Sequence, residues 1–126
     1  DVVMNPNYVH TITLYHKVPA AGKEHWAKTV FHNCFWKSVV NTGFNGTQAS
    51  VQNTYVARIP EESCLEPLSV LQGDIVIFGE CKEEITGTSG QTATQVLNRN
   101  KPNAFKVTAF SDNTSFPVDR HYRLGG

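Results

Sequence analysis

The strongest constraint on this chain is short-range alternation. HTITLYHKV (His10–Val18), SVQNTYVARIP (Ser50–Pro60) and AFKVTAF (Ala104–Phe110) each alternate apolar residues with others over several positions. In the first run Ile12 and Leu14 fall to one side, and Thr11, Thr13 and Tyr15 to the other. In the second, Val51, Tyr55, Ala57 and Ile59 can share a face, and Pro60 ends the run. Successive side chains of a strand point to opposite faces, so these runs predict strands. Turn formers separate them: PAAGKE (19–24), NTGFNG (41–46), Gly73-Asp74 and DNTS (112–115). IVIF (75–78) lacks alternation and lies between Gly73 and Gly79, which predicts a strand buried on both faces.

One segment breaks the pattern. TATQVLNRN (Thr92–Asn100) predicts a short helix, with Thr92 or Thr94 as cap and Lys101-Pro102 as stop. Before it, ITGTSGQTATQ (85–95) is small and polar and predicts a loop, mobile in part. The expected fold is all-β: a small barrel or sandwich of about six strands, with one short helix and long polar loops. With 126 residues, a single domain over 1–126 is expected.

Charge narrows the function classes. Lys plus Arg number 11 and Asp plus Glu 11, so the net charge is zero. The chain as a whole has no pull on nucleic acid or anionic membrane; only a patch made by folding could supply one. No apolar run approaches the roughly 18 residues of a spanning helix, and DVVM at the start lacks the basic and apolar regions of a signal peptide. The expectation is therefore no membrane. Asn45-Gly-Thr and Asn113-Thr-Ser match the glycosylation pattern, which carries weight only with a secretory route.

HWAKTVFHNCFWKS (His25–Ser38) is the stretch that most resembles a reactive site. On a strand, Val30, His32, Cys34 and Trp36 share a face, and Thr29, Phe31, Asn33 and Phe35 the other. A helix is the rival reading, since Trp26, Val30 and Cys34 fall four apart, but the β-branched and aromatic content favours strand. A metal site would need further ligands, and His10, His16, His25, His121 and Cys81 lie at no ligand spacing. The three cysteines, Cys34, Cys64 and Cys81, form no CxxC. Free thiols in a reducing compartment are the simplest reading, with one disulfide plus one free thiol as the alternative. Nucleophile elbow, phosphate loop, HExxH and dinucleotide fingerprint are all absent from the sequence. No enzyme, cofactor or metal is expected. Basic residues concentrate locally only in Arg99-Asn-Lys101 and in the DRHYR tail, with Arg120 and Arg123. Both can touch phosphate or another subunit.

The order of these pieces resembles a family of short proteins encoded with the structural genes of tailed phages and prophages. The resemblance runs through ITLYHKV, WAKTVFHNCFWK (26–37), VQNTYVARIP, GDIVIFGE and the closing AFKVTAF…HYRLGG. Trp26, Trp36, Gly73, Asp74 and Gly79 match as scaffold features. The resemblance implies a small β-barrel that assembles as a ring around the DNA channel. The roles implied are head-tail stopper, tail completion or minor capsid protein. It further implies portal, connector and tail proteins as neighbours, possible non-specific contact with phage DNA, synthesis in the bacterial cytoplasm and a place in the virion. The candidate subunit or DNA contacts are then Trp26, His32, Trp36, Thr88 (within a gate-like GTSG, 87–90), Arg99, Lys101, Arg120 and Arg123. Two other classes remain: a monomeric β-domain that binds a ligand through exposed aromatics, and a small barrel enzyme with a pocket beside a cysteine or histidine.

Overall fold

The computed structural model describes residues 8–18, 25–45, 48–115, 117 and 120–126. The expected turn at 19–24 lies outside them. Seven antiparallel strands form a half-barrel: β1 (His10–Val18), β2 (His25–Asn45), β3 (Gln48–Pro60), β4 (Ile75–Phe78), β5 (Ala104–Lys106), β6 (Ala109–Asp112) and β7 (His121–Gly125). Their order across the sheet is β5-β4-β1-β2-β3-β7-β6. The two outermost strands are consecutive in sequence. The run read as one strand, 104–110, bends at Val107–Thr108. The Val107 amide donates to the Asp74 carbonyl on the β4 side, and the Thr108 amide donates to the Gly125 carbonyl on the β7 side. One stretch of chain thus serves both ends of the sheet.

The concave side holds the larger core, with Ile12, Leu14, Phe31, Ala57, Ile59 and Leu124 among its buried members. A second cluster forms on the reverse of β1 and β4, from Tyr15, Trp26, Ile75, Ile77, Ile85 and Val96. Helix α1 (Ala93–Asn100) covers it. β4 is therefore buried on both faces, Val76 in one cluster and Ile75 and Ile77 in the other. Each such side chain contributes about 1.5–3 kcal/mol by leaving water.

The cover over the second cluster explains why Thr13 and Tyr15 are buried although their phase reads as the outer one. Thr13 Oγ1 donates to the Gly79 carbonyl at 2.7 Å and accepts from the Cys81 amide at 2.9 Å. The Tyr15 hydroxyl donates to the Glu83 carbonyl at 2.7 Å. Gly79 makes the turn into this segment at φ +85°, a region that favours glycine. Thr92 caps α1 with Gln95 in a reciprocal capping box.

β2 carries the main irregularity. His10 pairs with Cys34 but Ile12 pairs with Phe31, so β2 holds one extra residue. Asn33 takes it up at φ +57°. Phe31 and Cys34 consequently share the concave core, which strict alternation forbids.

β2 also runs longer than expected. Asn41–Asn45, read as a turn, continues the strand and pairs with β3 out to Asn45↔Gln48. The tip, 46–47, lies outside the described residues. HYRLG, which the sequence reading left in the tail, is β7, with Tyr122 and Leu124 buried.

Candidate functional site

The bulge separates the two residues that made HWAKTVFHNCFWKS look reactive. His32 is exposed, and its Nδ1 lies 3.1 Å from Thr11 Oγ1. Cys34 is fully buried, and its Sγ lies 3.5 Å from the His32 carbonyl oxygen, a backbone atom. Burial, with the neighbouring Cys64 adding to it, pushes the Cys34 thiol up to about 12. Burial first, then Glu61 and Glu62, pushes Cys64 up to about 11. Both therefore carry their protons at neutral pH and are poor nucleophiles. All three cysteines are free thiols. Among the described residues no three His, Cys, Asp or Glu side chains gather closely enough to hold a metal ion.

The expected contact residues do not converge. Trp26 is only 8% exposed and belongs to the core under α1. Trp36 is half-buried, 5.4 Å by ring centroids from both Phe78 and Phe105. Its amide donates to His10 Nδ1 at 3.2 Å. Thr88 is exposed on a tight turn, where the Gln91 amide donates to its carbonyl.

Arg99 closes that turn from the helix. It donates to Glu83 Oε1 and to the Gly90 carbonyl at 2.8 and 2.9 Å, and to Gln91 Oε1 at 2.8 Å. The Glu83 carboxyl is held below the usual carboxylate range by the Asn100 and Arg99 hydrogen bonds. Arg99 thus ties 83–91 to α1, and the segment read as mobile is internally bonded. Lys101 is exposed at the helix end. Arg120 pairs with Glu61 at 2.6 Å, and Arg123 is exposed on β7.

A groove of about 320 Å³ lies between α1 and the start of β4, with Trp26, Leu97, Lys17 and Lys106 in its lining. Asp74 also borders it but is fully engaged. Its carboxylate accepts from the Leu71 amide (2.9 Å) and the Lys17 amide (3.2 Å) and meets His16 Nδ1 at 2.6 Å. This is a lock between β1 and the turn before β4.

The chain belongs to the DUF6751 family. The match covers residues 7–126, and the family is one of unknown function. No curated protein and no solved structure matches the chain.

The most distinctive surface of this DUF6751 chain is the outer half of the β2–β3 hairpin. β1 last pairs with β2 at Cys34, and β7 last pairs with β3 at Val56, followed by the Tyr55–Gly126 backbone bonds. Among the described residues, no third strand joins this ladder from Val39↔Thr54 to Asn45↔Gln48, a reach of roughly 20 Å. No charged residue and no proline occurs between Lys37 and Arg58. The pairs in phase with Trp36↔Ala57 are Ser38↔Tyr55, Val40↔Asn53, Thr42↔Val51 and Phe44↔Ala49; the other phase carries Val39↔Thr54, Asn41↔Gln52, Gly43↔Ser50 and Asn45↔Gln48. A ribbon with no third strand among the described residues, and with no charge or proline in its sequence, lacks the features that normally block edge pairing.

Proposed function

We propose that this chain is a ring-forming structural subunit of a tailed-phage particle. Its place is the head-tail junction, as a stopper or tail-completion protein around the DNA channel. The observation that supports an assembly role is the β2–β3 arm. A two-stranded ribbon is marginal alone in water, and its open edges suit strand addition to a neighbour. An arm that reaches from one copy to a different surface on the next makes a heterologous contact, and such contacts close into rings when the rotation permits. The sequence resemblance supplies the phage setting. On this reading the first partners are identical copies, then portal, connector and tail proteins, and the chain passes from the bacterial cytoplasm into the virion without a cofactor.

Native mass measurement and particle imaging test the reading, on the purified chain and with the neighbouring gene products. The expected result is a ring of about six or twelve copies, and a folded monomer when residues 39–53 are replaced by a tight turn. A chain that stays monomeric throughout and enters no ring overturns it.

The second reading is a monomeric binding module. The groove between α1 and β4 favours it, with Trp26 in its lining and Lys17 and Lys106 beside it. It predicts a stable monomer in the same mass measurement.

A further inference from the structure

We propose that the outer face of β2, β3 and β7 is a contact surface for the phosphate backbone of nucleic acid, centred on Arg58 and Arg123 with Lys37 beside them. The register builds this face. Phe35 pairs with Arg58, Arg58 with Arg123, and Arg123 with Ser111, so one row crosses four strands. Lys37 lies two residues along β2 in the same phase. The opposite phase of these strands is the core, with Tyr55, Ala57, Ile59, Tyr122 and Leu124 buried. Lys37 and Arg123 are exposed, and Arg58 is half-buried, 5.3 Å above the Phe35 ring.

Among the described residues the row has no ion-pair partner. The ion pairs among the described residues join His16 to Asp74, Lys28 to Glu84, Arg99 to Glu83 and Arg120 to Glu61. None involves Lys37, Arg58 or Arg123. Six of the eleven acidic residues lie in EESCLE (61–66) and ECKEE (80–84), Asp74 is engaged by His16 and two amides, and Asp1, Glu24 and Asp119 lie outside the described residues. Asp112, on β6, pairs with Tyr122 and so falls in the other phase, where its carboxylate accepts from Thr114. Like charges directly opposite across a ladder repel, and here two arginines sit opposite each other. Arg58 Nε is shielded from solvent and has no hydrogen-bond partner.

An anion between the two guanidinium groups relieves both features. Adjacent strands are about 4.8 Å apart, close enough for two forks to grip one phosphate group or its neighbour. The planar guanidinium suits phosphate oxygens, and stacking on Phe35 holds that of Arg58 in place. Tyr8 packs on Phe35 and His121 at one end of this face, while Lys37 and Arg123 stay exposed beside it, so the row fits a long repeating polyanion better than a short acidic peptide. With no groove to read base edges, binding is independent of sequence. The surface is a property of one chain and stands whether or not copies close into a ring.

Fluorescence anisotropy on the full chain tests it, with a labelled duplex of about 30 base pairs and a single strand of equal length, at low salt. The expected result is weak binding that falls at least about 5-fold in R123Q and further in R58Q/R123Q, the log–log salt slope shrinking by about 2 in the double variant. R58K keeps the charge without the fork and is expected in between. K82Q removes an exposed charge elsewhere and is expected to bind like the parent. Binding of duplex, single strand or both supports the surface, and their ratio says which form it prefers. R123Q is exposed, so its fold is expected intact by circular dichroism. Three outcomes overturn the proposal: no binding of either probe at low salt, R123Q binding like the parent, or polyglutamate competing as well as DNA, which assigns the row to an acidic protein.

Discussion

The barrel body and the β2–β3 arm are continuous strands of one sheet, yet they are held by different means. In the body the inner strands have a neighbour on each flank and a core on at least one face. Val76 meets the concave core while Ile75 and Ile77 meet the cluster under α1. Polar groups there are spent on fixed partners, as Asp74 is on Leu71, Lys17 and His16. Among the described residues the arm has one ladder and no third strand. The difference teaches that the body is held from several sides, whereas the described part of the long hairpin is held by its own ladder.

The largest effect is expected in the body. Asp74→Ala leaves two amides and His16 without their acceptor and should cost about 3 kcal/mol, read by urea unfolding. Val76→Ala removes apolar volume from the strand buried on both faces and should cost about 2 kcal/mol in the same assay. Arg99→Ala is expected to cost about 1 kcal/mol, since the clamp is exposed. Its sharper readout is faster amide exchange at Gln91, whose segment loses its tie to α1.

Glu83 gives this clamp a pH dependence. Its folded value is lowered, by Asn100 first and then Arg99. The stabilisation is complete above the unfolded carboxylate value of about 4.3. It is lost as pH falls through the lower folded value, where the unfolded chain binds the proton more readily. Denaturation at pH 7 and pH 3 should show a smaller acid loss in Glu83→Gln than in the parent.

The smallest effect on stability is expected in the arm. Val40→Lys and Val51→Lys should change unfolding by no more than about 0.5 kcal/mol, while any assembly through the arm is lost in native mass measurement. Arm variants that destabilise as much as Val76→Ala would erase the distinction between the two regions.

Much of the body was legible because its signals are local. Ile12 and Leu14 against Thr13 and Tyr15, IVIF between two glycines, and Thr92 before the helix each report on their own few residues. The bulge was not legible: Asn33 at positive φ shifts the phase only because β1 must pair His10 with Cys34 and Ile12 with Phe31. That shift is why His32 and Cys34, two apart, end on opposite sides of the sheet. Arg99 read as a free cation because its acceptors, Glu83, Gly90 and Gln91, are brought to it by the path of a loop. Arg58 went unremarked because its partner across the ladder, Arg123, is far away in sequence. The clue was its phase, opposite to Tyr55, Ala57 and Ile59.

By itself the sequence determined the class: alternating runs, turn residues and one capped helix leave an all-β domain as the consistent answer, because propensity and periodicity act over a few residues. Only the tertiary structure decided which faces are covered and which side chains meet. Thr13 and Trp26 are buried because α1 and the segment after Gly79 lie over them. The hairpin is an arm because β1 and β7 stop short of it. Such facts depend on where distant segments end relative to one another, and no local pattern encodes that.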